Sequence, residues 1–405
     1  MLWEAVPMVD RRDFLLLGAG ALVGATTTAQ AQRAQDKPRI RRYVTLGRTQ
    51  LKVSDISFGS ASTSDAALVR YAFERGVNFF DSAESYRGGY AEEAIGEALQ
   101  GKRDQVILTS KTKADTGDKR TDMMRSLERS LKRLGTDRVD IYFNHAVNEV
   151  ERMQNQEWWE FTELARKQGK IRFRGMSGHG SRLPECLEYA IDNDLVDVVL
   201  VAYNFAQDPS FMDRMRHTFH WAAIQPDLPP VLKKAKEKGV GVLAMKTLMG
   251  GRLNDMRPYE RPGSTFSQAA FRWVLGGGYA DALLISMTSK EEIDEYVAAS
   301  GDPAVKKSDL ELLERYAQLQ MSSYCQSACR ACEGSCPEAV PIAEVLRTRM
   351  YDVDYRRPSL ARSEYAELGE GAKSCLTCTH QSCLNACPQG IPIAQFTRDA
   401  AARLA

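Results

Sequence analysis

The chain has 405 residues, with 54 Lys+Arg against 53 Asp+Glu, a formal net charge of +1 and 43% hydrophobic residues. A balance this close to neutral offers no broad basic face and argues against nucleic acid as a partner. Nine cysteines are the unusual feature, and eight of them fall between Cys325 and Cys387, so they serve a local module.

The first predicted element is an address label. Arg11-Arg12 precede an apolar run from Phe14 to Val23. That run is shorter than the roughly 20 residues a membrane-spanning helix needs. Small and polar residues follow and end in Ala29-Gln30-Ala31. Basic start, short apolar core and A-x-A site predict a signal peptide over residues 1–31, cleaved after Ala31. An uncleaved N-terminal helix or anchor is the alternative. The arginine pair before Phe14-Leu15 resembles the twin-arginine export signal of bacteria. That resemblance implies the twin-arginine export machinery as a partner and a periplasmic or otherwise exported location. No other run approaches membrane-spanning length, so the mature chain is expected not to span a membrane.

From Arg42 onward, β-branched runs alternate with amphipathic helical patterns. The runs are VSDISFG (53–59), VNFFDSA (77–83), QVILTSK (105–111), RVDIYFNH (138–145), IRFRGMS (171–177), VDVVLVAYN (196–204), GVGVLAMK (239–246) and ALLISM (282–287). Helical patterns such as DMMRSLERSLKRLG (122–135) and QEWWEFTELARKQGK (156–170) lie between them. Eight strand–helix units predict an α/β fold, a (β/α)8 TIM barrel over residues 40–303. An open doubly wound sheet is disfavoured because no G-x-G-x-x-G follows an early strand. The long connection at 205–230 falls on the face where barrel loops shape a substrate site. Residues 304–405 are predicted to form a second, helical domain that begins with SDLELLERYAQLQM (308–321).

Four polar residues stand at the ends of successive predicted strands, where barrels place catalysis: Asp81 and Tyr86 in FFDSAESY, Lys111 in LTSK, and His145 in YFNH. With these residues, the stretch from LGRTQLKVSDISFG (46–59) to about residue 300 resembles the aldo-keto reductases. The resemblance implies a catalytic tetrad of Asp81, Tyr86, Lys111 and His145, and reduction of a carbonyl by hydride from NADP(H). A tyrosine with an ordinary pKa of about 10 is a poor acid near neutrality. A neighbouring cation lowers it, and Lys111, held by Asp81, is expected to do so here. His145 can orient the carbonyl by a hydrogen bond.

The same resemblance assigns the nicotinamide site. Ser177 is expected to bond the carboxamide, Met245 to pack on the ring, and Leu248, Gly250 and Gly251 to cradle the pyrophosphate. Thr288, Ser289 and Lys290 open a helix suited to the ribose 2′-phosphate. Two residues depart from the family pattern: Gly178 replaces an asparagine and Leu200 a glutamine. His179 fits a serine-x-histidine pattern seen in members with a C-terminal cysteine module; a solvent-facing loop histidine is the alternative. Cys186 reads as a buried helix residue.

The cysteines form two groups, Cys325, Cys329, Cys332 and Cys336, then Cys375, Cys378, Cys383 and Cys387. Each group ends in Cys-Pro followed by a similar tail, EAVPIAEVLR or QGIPIAQFTR, which is an internal repeat. The pattern resembles the bacterial ferredoxin run, in which the fourth cysteine serves the partner cluster. By that analogy Cys325, Cys329, Cys332 and Cys387 hold one [4Fe–4S] cluster, and Cys375, Cys378, Cys383 and Cys336 the other. Disulfides and zinc are the alternatives.

The expectation is an exported oxidoreductase that acts on a small-molecule carbonyl or alcohol, such as a sugar. It would carry tightly bound NADP(H) and two clusters that either relay electrons, with a redox partner protein, or brace the fold. A non-catalytic electron carrier or redox sensor on a retired barrel is the competing reading.

Overall fold

The computed structural model describes residues 37–180, 182–207, 211, 227–248, 255–320, 325, 329, 331–354 and 357–405. The predicted signal peptide, with Arg11, Arg12 and Ala29–Ala31, lies outside the described residues, as do Gly250, Gly251 and most of the 205–230 connection.

The chain starts with an antiparallel hairpin, β1 (Tyr43–Thr45) and β2 (Lys52–Ser54). Eight parallel strands then close a barrel: β3 (Ile56–Gly59), β4 (Phe79–Asp81), β5 (Ile107–Thr112), β6 (Val139–Asn144), β7 (Ile171–Gly178), β8 (Val198–Ala202), β9 (Gly241–Met245) and β10 (Ala282–Ser286). Closure is made by β10 on β3, with Leu283 opposite Ile56. All eight expected strands are present in order.

The run 53–59, expected as one strand, is two. Asp55 breaks it, because its buried carboxylate turns away to accept bonds from Ser300 Oγ (2.7 Å) and the Gly301 N–H (2.8 Å). Val53 therefore belongs to the hairpin, which plugs the lower end of the barrel. Leu46, Leu51 and Val53 pack with Phe79, Ile141, Val198 and Leu243 in the barrel interior. The plug needs Gly47 at φ +47°, since a Cβ there would lie 2.4 Å from the Gly241 nitrogen.

The outer helices are α1 (Ala66–Glu74), α2 (Tyr90–Ala98), α3 (Arg120–Leu134), α4 (Gln156–Lys167), α5 (Leu183–Asp192), α6 (Leu228–Glu237), α7 (Phe266–Gly276) and α8 (Lys290–Val297). Helix α3 buries Met123, Leu127, Leu131 and Leu134 on one face and stops at Gly135, φ +61°. Asn155 caps α4 by accepting from the Glu157 N–H, which aims Trp158 and Phe161 at Tyr142 on the outside of β6.

Helix α9 (Lys307–Gln320) packs on α7. Arg272 and Asp309 pair there at 2.6 Å with side chains 3% and 0% exposed, and Tyr316 stacks on Phe266 at 4.1 Å between ring centroids. The C-terminal segment adds α10 (Ile342–Val353), α11 (Pro358–Ala366) and α12 (Ile393–Leu404). The two Cys-Pro tails adopt the same turn. Ala339 (φ +50°) donates its N–H to Cys336 O, and Gly390 (φ +71°) donates to Cys387 O, both at 3.1 Å. Pro341 and Pro392 then start α10 and α12. Among the described residues, no helix is long and apolar enough to cross a membrane.

Candidate active site

Parallel strands bring their C-terminal ends to one mouth, and the four tetrad residues meet there. Lys111 on β5 is buried, its Nζ 2.6 Å from both Asp81 carboxylate oxygens and 2.6 Å from Ser82 O. Thr109 Oγ1 donates to Asp81 Oδ1 at 2.6 Å, so the carboxylate is fixed as well as paired. The ammonium lies 4.8 Å from the Tyr86 ring centroid. The Tyr86 and His145 rings meet edge to face at 5.5 Å.

Backbone strain marks the same positions. Arg87 (φ +55°), Ala146 (φ +54°) and Lys246 (φ +56°) follow Tyr86, His145 and Met245 directly. Left-handed non-glycine residues persist only where the surroundings hold them. Arg152 does this after β6, donating to Ala146 O (2.9 Å), His145 O (3.0 Å) and Asn144 Oδ1 (2.9 Å).

The electrostatics correct one expectation. Lys111 was expected to lower the Tyr86 pKa, but the phenol is pushed well above its ordinary value. Burial is the main cause, followed by the Asp81 carboxylate and Tyr351. The cation is already neutralised by Asp81, and burial lowers its own pKa despite that partner. Burial first, then Lys111, Lys113 and Arg152, hold His145 well below its usual value. The site thus presents a protonated phenol and a neutral imidazole.

The residues expected at the nicotinamide are distributed as follows. Ser177 is buried on β7, and its Oγ accepts the Ala146 N–H at 3.1 Å. Met245 ends β9 half-buried, and Leu248 is buried just beyond it. Ser289 caps α8 by accepting from the Glu292 N–H (3.1 Å), and Glu292 Oε2 accepts from the Thr288 N–H and hydroxyl, both at 2.7 Å. A carboxylate therefore occupies the donors expected for the 2′-phosphate. Lys290 stands with its Nζ 5.4 Å from the Tyr71 ring centroid.

Both family departures have steric or packing causes. A Cβ at Gly178 would lie 2.5 Å from Leu183 Cδ1 and 2.9 Å from Val147 O, so no asparagine fits. Leu200 packs inside the barrel with Leu243, Phe143 and Ile141, where a glutamine amide would need buried partners. Cys186 is buried in α5, and burial pushes its thiol up to about 12.

Sequence reasoning missed the contribution of the C-terminal segment. Tyr351, Arg357 and Glu364 all act on the Tyr86 phenol. Lys113 pairs with Glu367 at 2.5 Å, Asn148 Nδ2 donates to Glu344 at 3.4 Å, and Arg357 donates to Ala61 O. These contacts join residues too far apart in the chain for any local pattern to signal them.

None of the nine cysteines is in a disulfide. Cys325, Cys329, Cys332 and Cys387 line one cavity with Leu346, Ile391 and Ile393. Burial chiefly, and then Cys329, Cys332 and Cys387, raise the Cys325 thiol well above its ordinary pKa. Cys383 is raised by burial and by Cys336, Cys375 and Cys378. Among the described residues, no group of three or more His, Cys, Asp or Glu is gathered to hold a metal ion.

Comparison with known proteins agrees with the barrel. The Aldo/keto reductase family model matches residues 44–265, more than half of the chain. L-galactose dehydrogenase from Arabidopsis thaliana is 26% identical over 293 residues, 63% of this chain and 86% of that protein. L-glyceraldehyde 3-phosphate reductase from Escherichia coli is 23% identical over 320 residues, 68% of this chain and 92% of its own length. The holo form of an aldo-keto reductase from Bacillus halodurans superposes with TM-score 0.53 at 19% identity, over 68% of this chain and 95% of that one, a likeness of fold. This chain belongs to the aldo/keto reductase family and is an NADP-dependent oxidoreductase.

Proposed function

We propose that this chain interconverts a small polyhydroxylated carbonyl compound and its alcohol, with Tyr86 as general acid and base. The observation that carries this reading is the buried Lys111–Asp81 pair set beneath a protonated phenol, with His145 against its ring edge. In reduction, neutral His145 donates a hydrogen bond that orients the carbonyl oxygen. Tyr86 then gives its proton to that oxygen as negative charge develops. The Lys111 ammonium, its charge shared with Asp81, lies 4.8 Å from the centroid of the ring that then carries the tyrosinate. NADPH, when bound, supplies the hydride. Ser177, Met245, Leu248, Gly250, Gly251, Thr288, Ser289 and Lys290 would hold it. The half-buried Met245 suits a ring face, and the N-terminus of α8 suits a phosphate once Glu292 yields the Thr288 donors. Sugar-like substrates agree with the names of the two relatives above.

The eight clustered cysteines are proposed to hold two [4Fe–4S] clusters, as a ferredoxin-like domain over residues 304–405. The supporting observation is the placement of the fourth cysteines: Cys387 lies with the first group and Cys336 with the second. All eight are free thiols, and the two Cys-Pro turns match. A cubane spreads its thiolates over four irons, so its ligands stand farther apart than those of a single ion. Such clusters supply one-electron transfer, whereas nicotinamide moves a hydride. Bracing is the role the packing favours, because α10 touches the cysteine cavity through Leu346 and the barrel through Tyr351.

Export fits this reading. The twin-arginine route carries folded, loaded proteins, and cluster thiolates need a reducing compartment for assembly. An exported reductase would keep its NADP(H) tightly bound. The test is anaerobic purification of the full chain. About eight irons per chain, retained NADP(H) and aldehyde-dependent NADPH oxidation are expected. An iron-free, colourless protein that exchanges nucleotide freely contradicts the cluster and retention readings.

A further inference from the structure

Helix α10 has two working faces. On one, Leu346 lines the cysteine cavity, and Leu346 and Met350 line a second cavity with Cys325, Ile391 and Phe396. On the other, Arg347 and Tyr351 stand one turn apart and face the barrel mouth. The Tyr351 hydroxyl accepts from Lys246 Nζ and from Arg347 Nη1, both at 3.0 Å. The same cations lie 5.0 and 5.4 Å from its ring centroid. Arg347 is itself fixed by Glu344 (2.6 Å) and Glu364 (2.7 Å). Lys246 is held in a left-handed conformation at the end of β9.

The strand ends at this mouth also carry Tyr86 and His179. Tyr351 and Glu364 act on the Tyr86 phenol, and Lys246 and Arg347 act on His179. Among the described residues, His179 Nδ1 is buried with no hydrogen-bond partner, and a buried polar atom calls for one, which a substrate hydroxyl can supply. Lys246 just past β9, Tyr351 on α10 and His179 just past β7 are thus gathered at the strand-end mouth. An apolar substrate would strip these groups of water and return nothing; one carrying several hydroxyls would replace the lost bonds.

We propose that Tyr351, set by Lys246 and Arg347, forms with His179 a hydroxyl-recognition subsite that selects polyhydroxylated substrates. The specificity surface of this reductase would then come from the cysteine-bearing segment as well as from barrel loops. The proposal rests on the reductase reading above.

The test compares glyceraldehyde with propanal in NADPH oxidation by the anaerobically purified full chain. Tyr351→Phe, which removes only the hydroxyl, is expected to lower the ratio of their kcat/KM values about tenfold, mainly through the glyceraldehyde KM. Lys246→Met, which leaves α10 untouched, is expected to lower it in the same direction. A ratio within twofold of wild type in both variants overturns the subsite. Calorimetric titration of xylitol into the NADP+-loaded protein separates this from failure of the reductase reading. If neither aldehyde is turned over, weaker xylitol binding in both variants still supports the subsite. Equal binding in the variants, or no binding by wild type, overturns it.

Discussion

The Lys111 ammonium closes on both oxygens of Asp81 at 2.6 Å, with the two side chains 1% and 6% exposed. A cation this deep cannot stay charged without its partner. Asp81→Asn keeps the shape and removes the charge. The expected result is a loss of about 3–5 kcal/mol in denaturant unfolding, the range for a broken buried pair. Carbonyl reduction should fall with it. Unchanged stability would mean that Asp81 is not the counterion of Lys111.

The pH dependence of the two directions should differ. The Tyr86 pKa is raised, so the phenol stays protonated through neutrality, and reduction should show no alkaline loss below the ordinary tyrosine value of about 10. His145 is lowered, so it stays neutral down through its ordinary value of about 6.5. Alcohol oxidation needs the phenolate and should climb with pH over the same interval. Initial rates of both directions check this; an alkaline loss of reduction centred near pH 7 or 8 would mean that Lys111 depresses the phenol after all.

Asp309 anchors α9 to the barrel through Arg272 and Ser264 and also accepts the Lys306 N–H at the start of its own helix. Burial alone would raise its carboxyl, but Arg272, the Lys306 N–H and Ser264 outweigh burial and lower it. A depressed carboxyl contributes stability above its unfolded value of about 3.9 and loses it as pH falls below that. Asp309→Ala is expected to cost about 3–5 kcal/mol at neutral pH, because Arg272 is left buried and unpaired. The difference between variant and wild type should shrink in acid. Thermal melts at pH 7 and pH 3 read both effects.

Glu292 takes both donors of Thr288 at 2.7 Å. If those donors serve the 2′-phosphate, Glu292→Gln should tighten NADP+ roughly tenfold relative to NAD+, the value of about 1.4 kcal/mol. Competitive fluorescence titration measures the ratio. An unchanged ratio would place the phosphate elsewhere.

The tetrad was legible because a closed parallel barrel carries strand ends to one mouth, so residues spaced along 65 positions of sequence converge by topology alone. The two Cys-Pro repeats were legible because the same local turn forms twice. What stayed hidden depended on distant partners. Asp55 splits the strand-like run 53–59 because Ser300 lies beside it, 245 residues along the chain. Gly178 reads as a lost asparagine, but Leu183 leaves no room for one. The protonated state of Tyr86 follows from burial and from Asp81, which strand-end spacing does not reveal. Tyr351 has no motif of its own, and only the fold brings it to Lys246.

The central claim is that Tyr86 transfers the proton, and Tyr86→Phe tests it most directly. NADPH binding and aldehyde-dependent NADPH oxidation are measured on the same anaerobic preparation. The account predicts nucleotide binding close to that of wild type and turnover reduced at least about 100-fold, the lower range for removing a general acid. Turnover within a few-fold of wild type, with NADPH still bound, would contradict it.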